Sequence, residues 1–103
     1  MTTKKPTKTP AERYVLVATK TRRWTVATGV FVRKTGDTVE LRDARMIAYY
    51  SADAHALFGV AARGPGAMGR VSPAVERAEV RGVELVLDCT PAARKAIEAA
   101  PWH

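Results

Sequence analysis

Cysteine is almost missing from this chain. Cys89 is the single one in 103 residues, which excludes an internal disulfide framework and a zinc site built on paired thiolates. Histidine is nearly as scarce, with only His55 and His103, so no metal-binding box is spelled out. No apolar run reaches the roughly eighteen residues that a membrane-crossing helix needs. The opening residues MTTKKPTKTPAER lack the apolar core of a secretory signal. These absences lead us to expect a reducing, cytoplasmic location and no membrane partner. Acidic residues are missing from one place in particular. Residues 13–34 hold Arg13, Lys20, Arg22, Arg23, Arg33 and Lys34 without one Asp or Glu, in a chain of net charge +7. A positive field concentrated in this way favours phosphate-bearing partners without choosing among them.

What is present reads as one α+β domain, residues 13–103, behind a basic arm, residues 1–12. The arm has three Lys, four Thr and two Pro and almost nothing to bury, so it is expected to be disordered. Residues 13–19 (RYVLVAT) are β-branched and apolar on both faces, the profile of a covered strand. Residues 24–34 form a second strand with Trp24, Val26, Val30 and Val32 on one face and Phe31 on the other. Gly29 inside it marks a bulge or a close backbone approach. Thr35-Gly36-Asp37 reads as a hairpin turn, and residues 38–42 return with Val39 and Leu41 inward. Asp43-Ala44 then leads to a fourth strand, with Arg45, Ile47 and Tyr49 on one face and Met46, Ala48 and Tyr50 on the other.

That fourth strand runs into Ser51, a residue suited to cap a helix, and Asp53 adds negative charge to the first turn. Ala54, Leu57, Phe58 and Ala61 follow with the spacing of an apolar helical stripe. Residues 63–70 (RGPGAMGR) hold three Gly and one Pro and form a loop. Gly59 and Gly64 mimic the start of a phosphate-binding loop, but Pro65-Gly66 stands where Lys-Ser/Thr is required, which rejects the motif. Pro73 argues against a central strand, leaving a short strand near residues 77–80. Residues 83–89 form a strand with Val83, Leu85 and Leu87 on one face. Thr90 caps a last helix with Pro91 in its first turn, packed through Ala93, Ile97 and Ala100 and ended by Pro101. The fold class expected is a twisted antiparallel sheet, or partly open small barrel, of five to six strands with two short helices.

The run DAR-x-I-x-YY-S-A-D-A, followed downstream by CTPAARKAIEAAPW, resembles a family of small tailed-phage proteins catalogued only as a domain of unknown function. The resemblance covers about residues 13–102. It implies a strand meander with short helices, a phage or prophage origin, and action inside an infected bacterium. It implies no activity. The chain departs from the family pattern at Tyr50, where relatives favour Trp, at Pro91, where they carry Glu, and in lacking a second cysteine upstream of the last strand. The departures put a shared cysteine site in doubt and leave the fold expectation standing.

Catalysis is poorly supported. His55, Cys89 and His103 share no spacing that joins a base to a nucleophile, and no cofactor motif occurs. Binding is better supported. A strand bearing Arg45, Tyr49 and Tyr50 that meets a helix start near His55 offers an aromatic platform, a guanidinium and free N–H groups. We therefore expect a homo-oligomer that captures an anionic, nucleotide-type small molecule. Arg45, Arg63 and Arg70 would clamp phosphates, and Tyr49, Tyr50 or Trp24 would stack a base. Phages encode small oligomeric proteins that sequester nucleotide signals of bacterial immunity, and the implied origin makes that functional analogy relevant. Two alternatives stand beside it. One is nucleic-acid binding by the basic 13–34 hairpin and the arm; the other is docking on an acidic host protein.

Overall fold

The computed structural model describes residues 12–19 and 26–101. Most of the arm and Trp24 therefore lie outside the described residues. Glu12, assigned above to the arm, is described and is held by two arginines. It accepts from Arg42 at 2.6 Å and from Arg94 at 3.1 Å.

Among the described residues, six strands form one antiparallel sheet, and two helices accompany it. The strands are β1 (Tyr14–Thr19), β2 (Val26–Thr35), β3 (Thr38–Tyr49), β4 (Arg70–Val71), β5 (Val75–Val80) and β6 (Val83–Asp88). The helices are α1 (Ala56–Arg63) and α2 (Pro91–Ala99), with a 3-10 turn at Ala52–Ala54 before α1. The sheet order is β4-β3-β2-β1-β6, with β5 also paired to β3. The sheet is not closed.

β1 is buried along its whole length because β2 and β6 flank it and apolar side chains cover both of its faces. Tyr14, Leu16 and Ala18 join Val26, Val30, Ile47, Val60 and Ile97 in a cluster beneath the helices. Val15 and Val17 join Ala27, Val39, Leu41, Ala44 and Val83 in a second cluster on the other face. Tyr14 is the polar exception in the first. Its hydroxyl lies 3.3 Å from the Thr28 hydroxyl, and burial raises the phenol above its usual range against the opposing pull of that bond.

β2 and β3 meet through a two-residue turn, Gly36-Asp37, with Gly36 at φ +60°. That turn geometry requires a residue free to take positive φ at its first position. The two strands expected after the turn are one. β3 runs for 12 residues and absorbs the Asp43-Ala44 step as a bulge, with Asp43 at φ +52°. Gly29 faces this bulge. A methyl group there would come within 2.9 Å of the Arg42 carbonyl oxygen and 3.1 Å of Leu41 Cβ, so the close backbone approach read from the sequence is realised.

The other edge of β3 is shared. Val39 to Ala44 pair with β5, and Ile47 and Tyr49 pair with β4. Between them Ser72-Pro73-Ala74 interrupts the edge, as Pro73 suggested. Ser72 keeps the ladder satisfied, its N–H donating to Met46 O at 2.9 Å and its hydroxyl accepting from Met46 N–H at 2.9 Å. β5 begins at Val75 rather than near Arg77.

The pairings make β5 and β6 run in the same direction, with only Arg81-Gly82 between them. The chain thus crosses from one lateral edge of the sheet to the other, and Gly82 at φ +71° makes the bend. β6 also corrects the expected face. Leu85 and Leu87 pack on the helix-side cluster, but Val83 belongs to the second, because a register shift between Ala18 and Thr19 interrupts its alternation.

Candidate ligand-binding site

The segment linking β3 to α1 differs from the expected direct helix entry. Ser51 precedes the 3-10 turn and makes no helix-capping bond. His55 and Ala56 both take left-handed backbone, at φ +65° and +67°, and α1 starts only after His55. Left-handed residues other than glycine are uncommon and end a helix more readily than they continue one. The apolar stripe is consequently broken at one position: Ala54 and Ala61 are buried and Leu57 packs against the helix-side cluster as expected. Gly59 and Val60 are also buried, whereas Phe58, expected to face inward, is 70% exposed.

Ser51 and Asp53 have another role. The Ser51 hydroxyl donates to the Asp53 carboxylate, which also accepts Ala67 N–H at 3.1 Å, while Met68 N–H donates to the Ser51 hydroxyl at 3.2 Å. The Ser51 and Ala67 bonds, in that order of weight, hold the Asp53 carboxyl below its usual range. Gly66, at φ +87°, lies so close that a methyl group there would strike both Ser51 and Asp53. The glycine-rich loop is therefore pinned to the start of the helical segment. Its glycines serve that contact.

The end of β3 borders an open cleft of about 750 Å³. Tyr49 and Tyr50 line it with Val26, Ile47, Leu57 and Leu85, and Glu84 is its acidic member. Tyr49 is 52% exposed, and Tyr50 is half-buried against the helix-side cluster. Arg70 is the strand partner of Tyr49 in the β3–β4 pair, next to a register shift between Ile47 and Tyr49, and does not itself line the cleft. Arg70 and Arg63 are exposed and make no ion pair among the described residues. Arg63 ends α1, where a cation suits the helix C-terminus.

Arg45 is separated from this group. It lines a second open cleft of about 540 Å³, together with Ala27, Met46, Val75, Ala78 and Arg81, and donates to the Ser72 carbonyl at 3.4 Å. His55 is exposed at the left-handed junction. The structure thus brings Tyr49 and Tyr50 together in one cleft, sets Arg70 beside Tyr49 in the sheet without lining that cleft, places Arg45 apart, and leaves Trp24 outside the described residues. Sequence reasoning did not pick out Glu84. Nothing in VELVLDC marks it, since its position depends on β6 crossing to pair with β1.

The described cations of the basic hairpin are engaged locally. Arg13 pairs with Asp88 at 2.8 Å and covers the Phe31 ring at 4.6 Å, and Arg33 pairs with Glu40 at 3.1 Å. Lys34 donates to the Gly36 carbonyl at 2.6 Å. Burial, and then the Asp88 charge, push the Cys89 thiol up to about 11, so it is protonated at neutral pH. Among the described residues, no group of three or more His, Cys, Asp or Glu is placed to hold a metal ion, and no helix is long and apolar enough to cross a membrane.

Comparison with protein families matches residues 12–97 to the family described as Domain of unknown function (DUF6948). No curated protein and no solved structure matches the chain.

Proposed function

The chain belongs to the DUF6948 family, which brings no activity with it, and from its own residues we propose a non-catalytic, homo-oligomeric binding protein for an anionic, nucleotide-type small molecule. The observation that carries this reading is the cleft at the end of β3. Two tyrosines lie beside an apolar wall, and Arg70, exposed and without an ion pair among the described residues, is the strand partner of Tyr49 at the rim of that cleft rather than one of its lining residues. The volume of about 750 Å³ falls in the range of small-molecule sites. Tyrosine faces suit stacking on a planar base, and an arginine suits a phosphate through paired N–H donors. Glu84 approaches from β6, at the opposite edge of the sheet from Arg70, and as an acceptor it suits an amino or hydroxyl group at the uncharged end of the ligand. In an infected bacterium such a protein would lower the free concentration of a nucleotide signal.

The test is native mass spectrometry of protein purified from a bacterial host, followed by titration calorimetry with nucleoside mono-, di- and cyclic phosphates. The expected result is a bound mass of nucleotide size, or saturable binding of one of these probes. Arg70→Ala should weaken binding by about ten- to a hundredfold, as loss of a charge-assisted hydrogen bond does. Absence of any bound mass and of binding by every probe would overturn the reading.

A further inference from the structure

β5 has a free edge whose sequence is complementary to itself. Among the described residues β5 pairs with β3 alone, leaving the backbone groups of its outer edge available to another strand. The edge is short and bounded. Pro73 lies at the break on one side, and Gly82 turns the chain away on the other. Between them stand Val75, Glu76, Arg77, Ala78, Glu79 and Val80.

When an identical strand pairs antiparallel in a continuous sheet, a twofold axis perpendicular to the sheet passes midway between one residue and its own copy, and opposed residues face the same side. Three central residues are available. An axis at Arg77 sets two arginines against each other. An axis at Glu79 opposes the two glutamates and also sets Arg77 against Arg81. An axis at Ala78 places Arg77 opposite the partner's Glu79, twice, and Val75 opposite the stem of the partner's Arg81. Of these three registers, only this one is charge-complementary, and an axis at Val80, which would oppose Glu79 and Arg81, lies at the strand's end, where Gly82 turns the chain. β6, the other outermost strand of the sheet, has only the acids Glu84 and Asp88, and has no such solution.

Arg77 has capacity for the contact. Arg77 gives Nε to Glu40 at 2.8 Å and Nη2 to Glu79 at 2.7 Å, which leaves Nη1 for a further acceptor. Val75, at the start of the strand, is 55% exposed and would be covered across the seam. We infer that β5 pairs antiparallel with β5 of a second copy about a twofold axis at Ala78. This names the interface of the homo-oligomer in the reading above and rests on that part of it. No β5 residue lines the first cleft, so the ligand and the seam succeed or fail separately. A six-residue seam is small, and the dimer should be weak and concentration-dependent.

The experiment is sedimentation velocity and native mass spectrometry of the full chain up to about 100 μM, a concentration suited to a small interface. Wild type should dimerise. Arg77→Glu and Glu79→Arg should each weaken self-association at least tenfold, because like charges then face each other at two places. An equimolar mixture of the two variants should restore a 1:1 heterodimer, since the carboxylate introduced in one copy then meets the guanidinium introduced in the other. Ala78→Cys, which lies beside the axis, should form a disulfide-linked dimer under mild oxidation, because opposed strand positions fall within disulfide reach. Dimers that persist unchanged in both charge variants would remove the seam while leaving an oligomer. A monomeric wild type that Ala78→Cys does not cross-link would remove the seam and the oligomer together. Ligand binding, measured separately on Arg70→Ala, bears on neither outcome.

Discussion

The two halves of β3 are made of similar residues and behave differently. From Thr38 to Arg42 alternation is kept, and Val39 and Leu41 are fully buried. Beyond Asp43 the buried positions are Ala44 and Ile47, three apart, while Met46 and Tyr49 are about half exposed. One left-handed residue opposite one glycine separates the halves, because an extra residue on one strand shifts the phase of every side chain after it. The first half is committed to the core. The second half is thereby free to present Tyr49 and Tyr50 to a cleft.

The largest test of this contrast sets Leu41→Ala against Tyr49→Ala. Leu41 leaves a cavity in a closed part of the core and should cost about 2–5 kcal/mol; Tyr49 should cost no more than about 0.5 kcal/mol. Urea denaturation followed by circular dichroism measures both, and equal losses would mean that the halves are alike. Next is Gly29→Ala. The added methyl meets the Arg42 carbonyl at 2.9 Å and should cost about 1–3 kcal/mol, with the loss read in the same denaturation midpoint. If it is neutral, the bulge is not held by that contact. The smallest is Asp43→Gly. Glycine relieves the left-handed backbone but loses more freedom on folding, so stability should change by less than about 1 kcal/mol. Asp43→Val, measured alongside, should cost about 1–2 kcal/mol, and a valine variant as stable as the glycine one would deny the backbone conformation.

Much of the fold was legible because local chemistry dictated it. Thr90 does accept from Ala93 N–H at 3.0 Å, with Pro91 opening α2, and the inward positions Val39 and Leu41 follow from period-two alternation. The fusion of two expected strands into β3 was not legible, since an Asp-Ala pair reads equally well as a turn or a bulge. Phe58 faces outward although its spacing from Ala54 suits a buried stripe, because a left-handed junction at His55 and Ala56, which propensity does not reveal, separates the two. The candidate site divided in the same way. Tyr49 and Tyr50 line one cleft together, a neighbourhood that their place at the end of a strand makes legible. The separation of Arg45 from them, and the arrival of Glu84, depend on long-range pairing that has no local signature.

The passage of the chain from β5 to β6 has a consequence for how the domain assembles. β1 emerges first in synthesis, yet one of its two neighbours is β6, and Arg13 and Asp88 are 75 residues apart. The β2–β3 hairpin closes a short loop, whereas joining β1 to β6 closes nearly the whole domain and carries a larger entropic cost. A topology with such high contact order folds on the slower scale of barrel-like proteins. On the ribosome, the apolar edge of β1 must wait, unpaired on one side, until residue 88 has left the exit tunnel.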